Sequence, residues 1–333
     1  MLRLPPFRYV RPASVAQAAA VLADHGGEAM VLAGGTDLLP NLKRRQFDAR
    51  VLVAVGHLEE LATFRSNGDI AIGAGMKLQE VAEQPEVRAY APGLTEAMRQ
   101  IANPQIQRQG TIGGNLCVDT RCNYYNQTHE WRESIGFCMK REGDVCLVAP
   151  GSSKCWAVSS SDAAPILMAL GARVVLVGAG GERQIPLAAL YQDDGIAYLT
   201  RRPDEIMQTI LVPRTEGLRS TYRKVRRRGS FDFPILGVAA SLRLSGTVVE
   251  QASLVLGAVH THPVEVDVAE LLIGAQPTED RLDAVADAAF KVATPLDNVD
   301  LMYHWRKKMV RVEVKRAFQS LIGVPPQATD GSM

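Results

Sequence analysis

Val31-Leu32-Ala33-Gly34-Gly35-Thr36-Asp37-Leu38 is the stretch whose reading decides the fold. An apolar run, 29–33, reads as a buried strand that passes through two glycines into a helical start over 38–45. Such a junction aims bare backbone N–H groups and a positive helix end at one spot, which suits a phosphate or pyrophosphate. A plain glycine turn needing positive φ is the competing reading, and the stretch alone admits both. Upstream, Ser14-Val15-Ala16-Gln17 is a capping box, and the Ala-rich run it opens stops at Gly26-Gly27, predicting a helix over 14–25. Downstream, 51–55 reads as another strand.

From Asp69 the same style repeats: a strand at 70–72, Gly73-Ala74-Gly75, then a helix from about Leu78. Residues 90–103 read as helical, closed by Asn103-Pro104 because the proline ring disfavours helical geometry in the residue before it. The runs 173–177 and 182–185 predict a hairpin around Gly178-Ala179-Gly180-Gly181. After Pro213 the pattern changes. Residues 235–260 alternate as antiparallel strands with a turn at Gly246-Thr247, and 264–322 are mostly helical. The expected class is α/β followed by α+β, with a boundary near residue 215 and a polar, disordered tail at 325–333.

Thirty-seven Lys and Arg against 36 Asp and Glu leave a net charge of +1, so no global field favours nucleic acid or an anionic membrane. The longest apolar runs fall well short of the roughly 20 residues that span a bilayer, and the N-terminus lacks the apolar core of a secretory signal. A cytoplasmic, reducing location is expected. All five cysteines fall between Cys117 and Cys155, a poor disulfide framework and a good ligand cluster. A second glycine run, Thr111-Ile112-Gly113-Gly114-Asn115, repeats the phosphate-binding idea. Two such loops suit a dinucleotide better than a mononucleotide. Neither is G-x-G-x-x-G or a P-loop, so a nicotinamide site is unsupported. His260-Thr261-His262 offers a metal pair with no third ligand nearby in the sequence. The basic run Arg223 to Arg228 lacks the interleaved aromatic residues of a nucleic-acid surface. No nucleophile triad or paired acid and base can be argued, so no catalytic residue is assigned.

The segments Ala33 to Leu38, Ile72 to Gly75, Ile101-Ala102-Asn103-Pro104-Gln105-Ile106 and Thr111 to Leu116 follow an order and spacing that resemble the FAD-binding subunit of the molybdenum hydroxylase (xanthine oxidase) family. Lys224-Val225-Arg226-Arg227-Arg228 with Asp232-Phe233 is similar to that family's C-terminal flavoprotein domain. The resemblance covers roughly residues 4–323. It implies a two-lobed FAD domain over 1–215 (lobes about 1–55 and 56–215) and a C-terminal domain over 216–324. It places the pyrophosphate on Val31, Leu32, Ala33, Gly34, Gly35, Thr36, Asp37 and Leu38 and on Thr111, Ile112, Gly113, Gly114 and Asn115. Ile101 would pack on the flavin, Asp162 would hydrogen-bond it, and Lys224 would sit beside the ring. From the residues alone these three read as helix core, an N-cap and a solvated charge.

One departure from the family pattern carries information. About 40 residues, 118–157, intervene between the second glycine run and the Asp162 helix, and they hold Cys122, Cys138, Cys146 and Cys155. The insertion is similar to that of the flavin subunits of 4-hydroxybenzoyl-CoA reductases, which carry an extra [4Fe-4S] cluster. That resemblance implies electrons running from reduced ferredoxin through cluster and FAD to a small [2Fe-2S] subunit and a large molybdenum-cofactor subunit, in a dimer of heterotrimers. The alternative is an ordinary molybdenum hydroxylase flavin subunit that passes electrons to NAD or quinone, with a zinc-stabilised loop. Structural zinc usually takes closely spaced cysteine pairs, which are absent here. Spacing alone leaves open whether Cys117 replaces Cys122 in the ligand set.

Overall fold

A computed structural model describes residues 2–323, so the tail expected at 325–333 lies outside the described residues. The chain begins with β1 (Arg8–Val10), α1 (Val15–His25), β2 (Ala29–Leu32), α2 (Leu38–Lys43) and β3 (Val51–Ala54). The three strands form a parallel sheet in the order β1-β3-β2. Ser14 Oγ accepts from Gln17 N at 3.1 Å and starts α1, whose Val15, Ala18 and Leu22 pack on Val51 and Val53.

The second lobe comprises β4 (Phe64–Arg65), β5 (Ile70–Gly73), α3 (Leu78–Glu83), α4 (Pro85–Tyr90), α5 (Pro92–Gln100), α6 (Pro104–Gln107), α7 (Ile112–Leu116), α8 (His129–Ser134), α9 (Ala163–Ala169), β6 (Arg173–Gly178), β7 (Gly181–Pro186) and β8 (Ile206–Val212). Its sheet runs β4-β5-β8-β6-β7 and is antiparallel at every pairing, so it does not repeat the α/β style expected from Asp69 onward. The sequence after β5 reads as a βα unit, but the partner strand β8 arrives more than 130 residues later and antiparallel. Two local expectations also change. The helix expected over 90–103 ends at Gln100, and Pro104 opens α6, with Asn103 Oδ1 accepting from Ile106 N at 2.9 Å. Proline is at home at that first helical position because its missing N–H would be unpaired there anyway. The second glycine run forms the short helix α7, capped by Thr111 Oγ1 on Gly114 N.

The C-terminal part has β9 (Arg219–Val225), β10 (Leu236–Ser245), β11 (Val248–Gly257), β12 (Val264–Val266), α10 (Ala269–Leu272), α11 (Glu279–Val292) and α12 (Tyr303–Ile322), its sheet antiparallel in the order β12-β11-β10-β9. In β10 the side chains alternate between two cores. Leu236, Val238, Ala240 and Leu242 face α11 and α12, whereas Ala239 joins the core of the second lobe. Both faces are covered, which is why β10 reads as a nearly continuous apolar run. Arg306 of α12 is fully buried and donates to the carbonyls of Ile235, Leu296 and Ala258, tying helix to sheet. No helix among the described residues is long and apolar enough to cross a membrane.

Candidate functional site

A cavity of about 640 Å³ lies where the two lobes meet the start of the C-terminal sheet. Val31 and residues 33–38 line it, together with Ile101, Thr111, Gly113, Gly114, Asn115 and Asp162. Leu32, Ile112 and Lys224 stand outside the lining. Leu32 packs with Leu42 and Leu52, Ile112 is in the second lobe's core, and Lys224 lies behind Asp162.

The glycines bring backbone to backbone. A Cβ on Gly34 would meet Gln109 O at 2.2 Å, and one on Gly113 would meet Ala74 Cβ at 2.7 Å and Ala74 O at 2.8 Å. Gly35 has φ +71°, which a side chain would strain. The N–H groups of residues 34–37 find no acceptor among the described residues, so this stretch of the cavity lining carries a row of unpaired backbone donors. Asn41 Oδ1, Asp119 Oδ2 and Arg121 Nε, all in the wall, are buried without partners. The unpaired backbone N–H groups and Arg121 Nε suit the anionic oxygens of a dinucleotide, and the unpaired acceptors Asn41 Oδ1 and Asp119 Oδ2 suit its hydroxyl or amine donors.

Asp162 occupies the N-cap position of α9 but makes no capping bond. Asn115 Oδ1 accepts instead from Ala163 N at 3.0 Å and from Ser161 Oγ at 2.9 Å. The Asp162 carboxylate accepts from Tyr222 O–H at 2.7 Å and pairs with Lys224 Nζ at 2.9 Å, and Lys224 also donates to Gln100 O at 3.0 Å. Both charged side chains are essentially inaccessible, so Lys224 is not the solvated charge that its local sequence suggests. Burial pushes the Asp162 carboxyl up and the Lys224 ammonium down, while each holds the other charged.

Sequence reasoning gave Arg121 no role. Its guanidinium pairs with Asp37 and lies 4.2 Å over the Phe233 ring, between the first glycine loop and the C-terminal part. Burial holds the Asp37 carboxyl above its ordinary value although Arg121 pulls it down. The only signal was the position of Arg121 next to Cys122.

Behind Arg121 lies a second, far smaller hollow of about 10 Å³, lined by Cys122, Cys138, Cys146 and Cys155 with Tyr125 and Lys140. The insertion folds back on itself to make it. Arg121 and Val158 exchange backbone hydrogen bonds at 2.8 and 2.7 Å, which sets Cys122 beside Cys155. A tight turn, with Arg141 N and Gly143 N both donating to Cys138 O, sets Cys138 near Cys146. Cys117 does not line this hollow; half-buried, it packs against the core of the second lobe and lines the larger cavity. Burial pushes the Cys122 thiol up to about 12 and Cys155 up to about 11. Among the described residues, the one set of three or more metal-type donor atoms within 4.8 Å of one another is not in this hollow, so no three of these sulfurs lie that close. A tetrahedral zinc ion with bonds of about 2.3 Å would draw its sulfurs within about 4 Å of one another. The four thiols therefore stand farther apart than the donors of a bound zinc ion.

Fold and cavity together define a two-lobed nucleotide-cofactor protein with a C-terminal sheet closing one side of the cleft. The chain belongs to the family of the FAD binding domain in molybdopterin dehydrogenase, which matches residues 5–215, and the CO dehydrogenase flavoprotein C-terminal domain matches residues 220–321. It is 28% identical over 319 residues to the carbon monoxide dehydrogenase medium chain of Hydrogenophaga pseudoflava, covering 95% of this chain and 97% of that one. It is 30% identical over 298 residues to an aldehyde oxidoreductase FAD-binding subunit of Escherichia coli, covering 84% of this chain and 90% of that one. A carbon monoxide dehydrogenase structure from Hydrogenophaga pseudoflava superposes with a TM-score of 0.80 at 27% identity, over 96% of this chain and 99% of that one. This chain is therefore the flavin subunit of an oxidoreductase of the molybdenum hydroxylase family, with an electron-transfer role.

Proposed function

We propose that this subunit carries a [4Fe-4S] cluster as well as FAD, and that it passes electrons from reduced ferredoxin toward a [2Fe-2S] subunit and a molybdenum subunit that reductively dehydroxylates 4-hydroxybenzoyl-CoA to benzoyl-CoA. The convergence of Cys122, Cys138, Cys146 and Cys155 on one hollow, from positions spread over 34 residues, is the observation that supports it. A cubane needs four thiolates, and FAD exchanges one or two electrons where such a cluster exchanges one, so the pair would link one-electron carriers to a two-electron reduction.

In this reading residues 31–38 and 111–115 hold the pyrophosphate, Ile101 packs against the flavin, and Asp162, fixed by Tyr222 and Lys224, offers a carboxylate oxygen to it. Lys140 balances part of the thiolate charge. Its ammonium is buried against Asp119 at 2.7 Å and lies 4.7 Å over the Tyr125 ring. The substrate and the direction of flow rest on the resemblance of the insertion to that of the reductase subfamily.

The test is anaerobic purification with copurifying subunits, followed by iron and acid-labile sulfide analysis, EPR of the reduced complex, and turnover of 4-hydroxybenzoyl-CoA with reduced ferredoxin. About four irons and four sulfides per chain beyond those of the [2Fe-2S] subunit, with reductive turnover, support the reading. Zinc bound through thiolates and no additional iron would replace it with an ordinary flavin subunit bearing a zinc loop. Full cluster loading without reductive removal of the ring hydroxyl would retain the cofactor and remove the substrate.

A further inference from the structure

Outside both hollows, three metal-competent donors meet near the surface. His260 and His262 follow β11, and Asp193 comes from the segment between Tyr191 and Leu199, whose two ends bridge to each other. The two Nδ1 atoms are 3.1 Å apart, and Asp193 Oδ1 lies 3.3 Å from His260 Nδ1 and 3.7 Å from His262 Nδ1. A tetrahedral ion with bonds of about 2.0–2.1 Å sets its donors about 3.3–3.4 Å apart. The three atoms already form one face of such a polyhedron.

We propose that Asp193, His260 and His262 bind one divalent transition-metal ion of the zinc type, with a fourth position left to water. The donors are held in place by neighbours. Thr261 Oγ1 donates to Asp193 Oδ1 at 2.6 Å, and Lys154 Nζ holds Oδ2 at 2.5 Å, so the carboxylate presents Oδ1 to the imidazoles. Trp156 packs edge-on against His260, ring centres 5.3 Å apart, and Ser159 N donates to His260 O at 3.0 Å. Supporting partners of this kind fix the orientation of metal-ligating side chains. Two imidazoles with one carboxylate select zinc, copper or nickel over magnesium or calcium, which prefer all-oxygen shells. Thr261 Oγ1 also lies 3.1 Å from His260 Nδ1 and 3.3 Å from His262 Nδ1, so hydrogen bonds hold the donors together in the metal-free chain, and an ion would take the place of the proton shared between the imidazoles.

The ion would pin the Asp193 segment to the end of β11. Gly195 of that segment donates its N–H to Cys155 O at 2.9 Å and accepts from Lys140 Nζ at 2.7 Å, so the pinned segment is also part of the scaffold around the cysteine hollow. The site would act as a structural clamp on that wall.

The complex, washed with chelator, is titrated with Co²⁺ and then challenged with Zn²⁺, following visible absorption and the unfolding temperature. The expected result is one Co²⁺ per chain with weak d–d bands and no thiolate charge-transfer band, displaced by Zn²⁺, with Zn²⁺ raising the unfolding temperature. Affinity should fall about tenfold or more in His262→Ala and in Asp193→Asn, with flavin content unchanged as the check on folding. Cys146→Ala should bind Co²⁺ as the unsubstituted chain does. Unchanged affinity in both ligand variants, thiolate charge-transfer bands, or no binding at all would each overturn the proposal.

Discussion

Replacing Lys224 by methionine keeps the length of the side chain and removes its charge, leaving Asp162 buried with Tyr222 as its one remaining partner. Breaking a buried pair on one side costs about 3–5 kcal/mol, because the surviving charge is uncompensated. Asp162 has an escape that caps the loss. It can take a proton, and starting from its ordinary value of 3.8 this costs about 4 kcal/mol at pH 7, at 1.4 kcal/mol per pH unit. The deficit of Lys224→Met is therefore about 3–4 kcal/mol at pH 7 and shrinks by about 1.4 kcal/mol for each unit the pH falls toward 4. The sign follows from the pair. The variant raises the Asp162 pKa far above its unfolded value, so its folded state gains stability, relative to the parent, as pH falls. At about 2–4 °C per kcal/mol for a domain of this size, thermal unfolding should drop by about 6–16 °C at pH 7 and by roughly half of that at pH 5.5. Differential scanning calorimetry together with the temperature of flavin-fluorescence release measures it, and adding Asp162→Asn should recover much of the loss. A drop below 2 °C that does not change with pH would refute the claim that the pair is buried and mutually dependent.

The two glycines of α7 should separate folding from cofactor binding. Gly113→Ala drives a Cβ into Ala74 and should lower the yield of folded protein, whereas a Cβ at Gly114 meets only Thr111 Oγ1, at 2.9 Å, and Gly114→Val should fold with sharply reduced FAD, read as flavin absorbance per chain. Full flavin in Gly114→Val would remove that loop from the cofactor site. Cys117→Ala should keep its iron and sulfide, because the side chain packs against the core of the second lobe, while alanine at Cys122, Cys138, Cys146 or Cys155 should empty or cripple the cluster; the reverse pattern for Cys117 and Cys122 would show that the ligand set is wrong. The buried thiols also predict an alkaline weakness. In the metal-free chain Cys122 and Cys155 keep their protons to about 12 and about 11, against 9.0 when unfolded, so the stability they contribute is present below pH 9 and lost as pH rises through 11 to 12. Chemical denaturation of the metal-free chain should show this loss, and Cys122→Ala should reduce it; an identical alkaline profile in that variant would count against it.

Elements whose signal is local were legible in the sequence. The strand-glycine-helix junction at 29–43, the helix capped by Ser14, the hairpin of β6 and β7 and the turn between β10 and β11 all carry their own punctuation. β9 was not legible. Its sequence, Arg-Ser-Thr-Tyr-Arg-Lys-Val, reads as a basic segment because the partners that neutralise it are distant: Glu313 on α12 holds Arg223 at 2.5 Å, and Asp162 holds Lys224. The pairing of β5 with β8 was hidden for the same reason. The third donor beside His260 and His262 was invisible too, since nothing near Asp193 in the chain hints at two imidazoles. Lone chemistry-bearing residues acquire roles when tertiary contacts supply their partners, and a one-dimensional pattern carries periodicity but not those contacts.

The wall between the two hollows is where the fold meets its proposed work. Asp119 and Arg121 face the larger cavity, Cys122 and Lys140 face the smaller one, and three of these four lie within four consecutive positions of the chain. Lys140 crosses the wall to reach Asp119, Thr120 Oγ1 at 2.6 Å and Gly195 O at 2.7 Å, using all three of its donors. A buried ammonium satisfied in this way has no hydrogen left for water and little freedom to move. The Lys140 charge is therefore paired within the partition by Asp119. Had the insertion existed only to hold a structural ion, its buried charge would have no need to face the flavin cavity. In the proposed function, its fully hydrogen-bonded lysine would link the cysteine hollow to a residue of the flavin cavity wall.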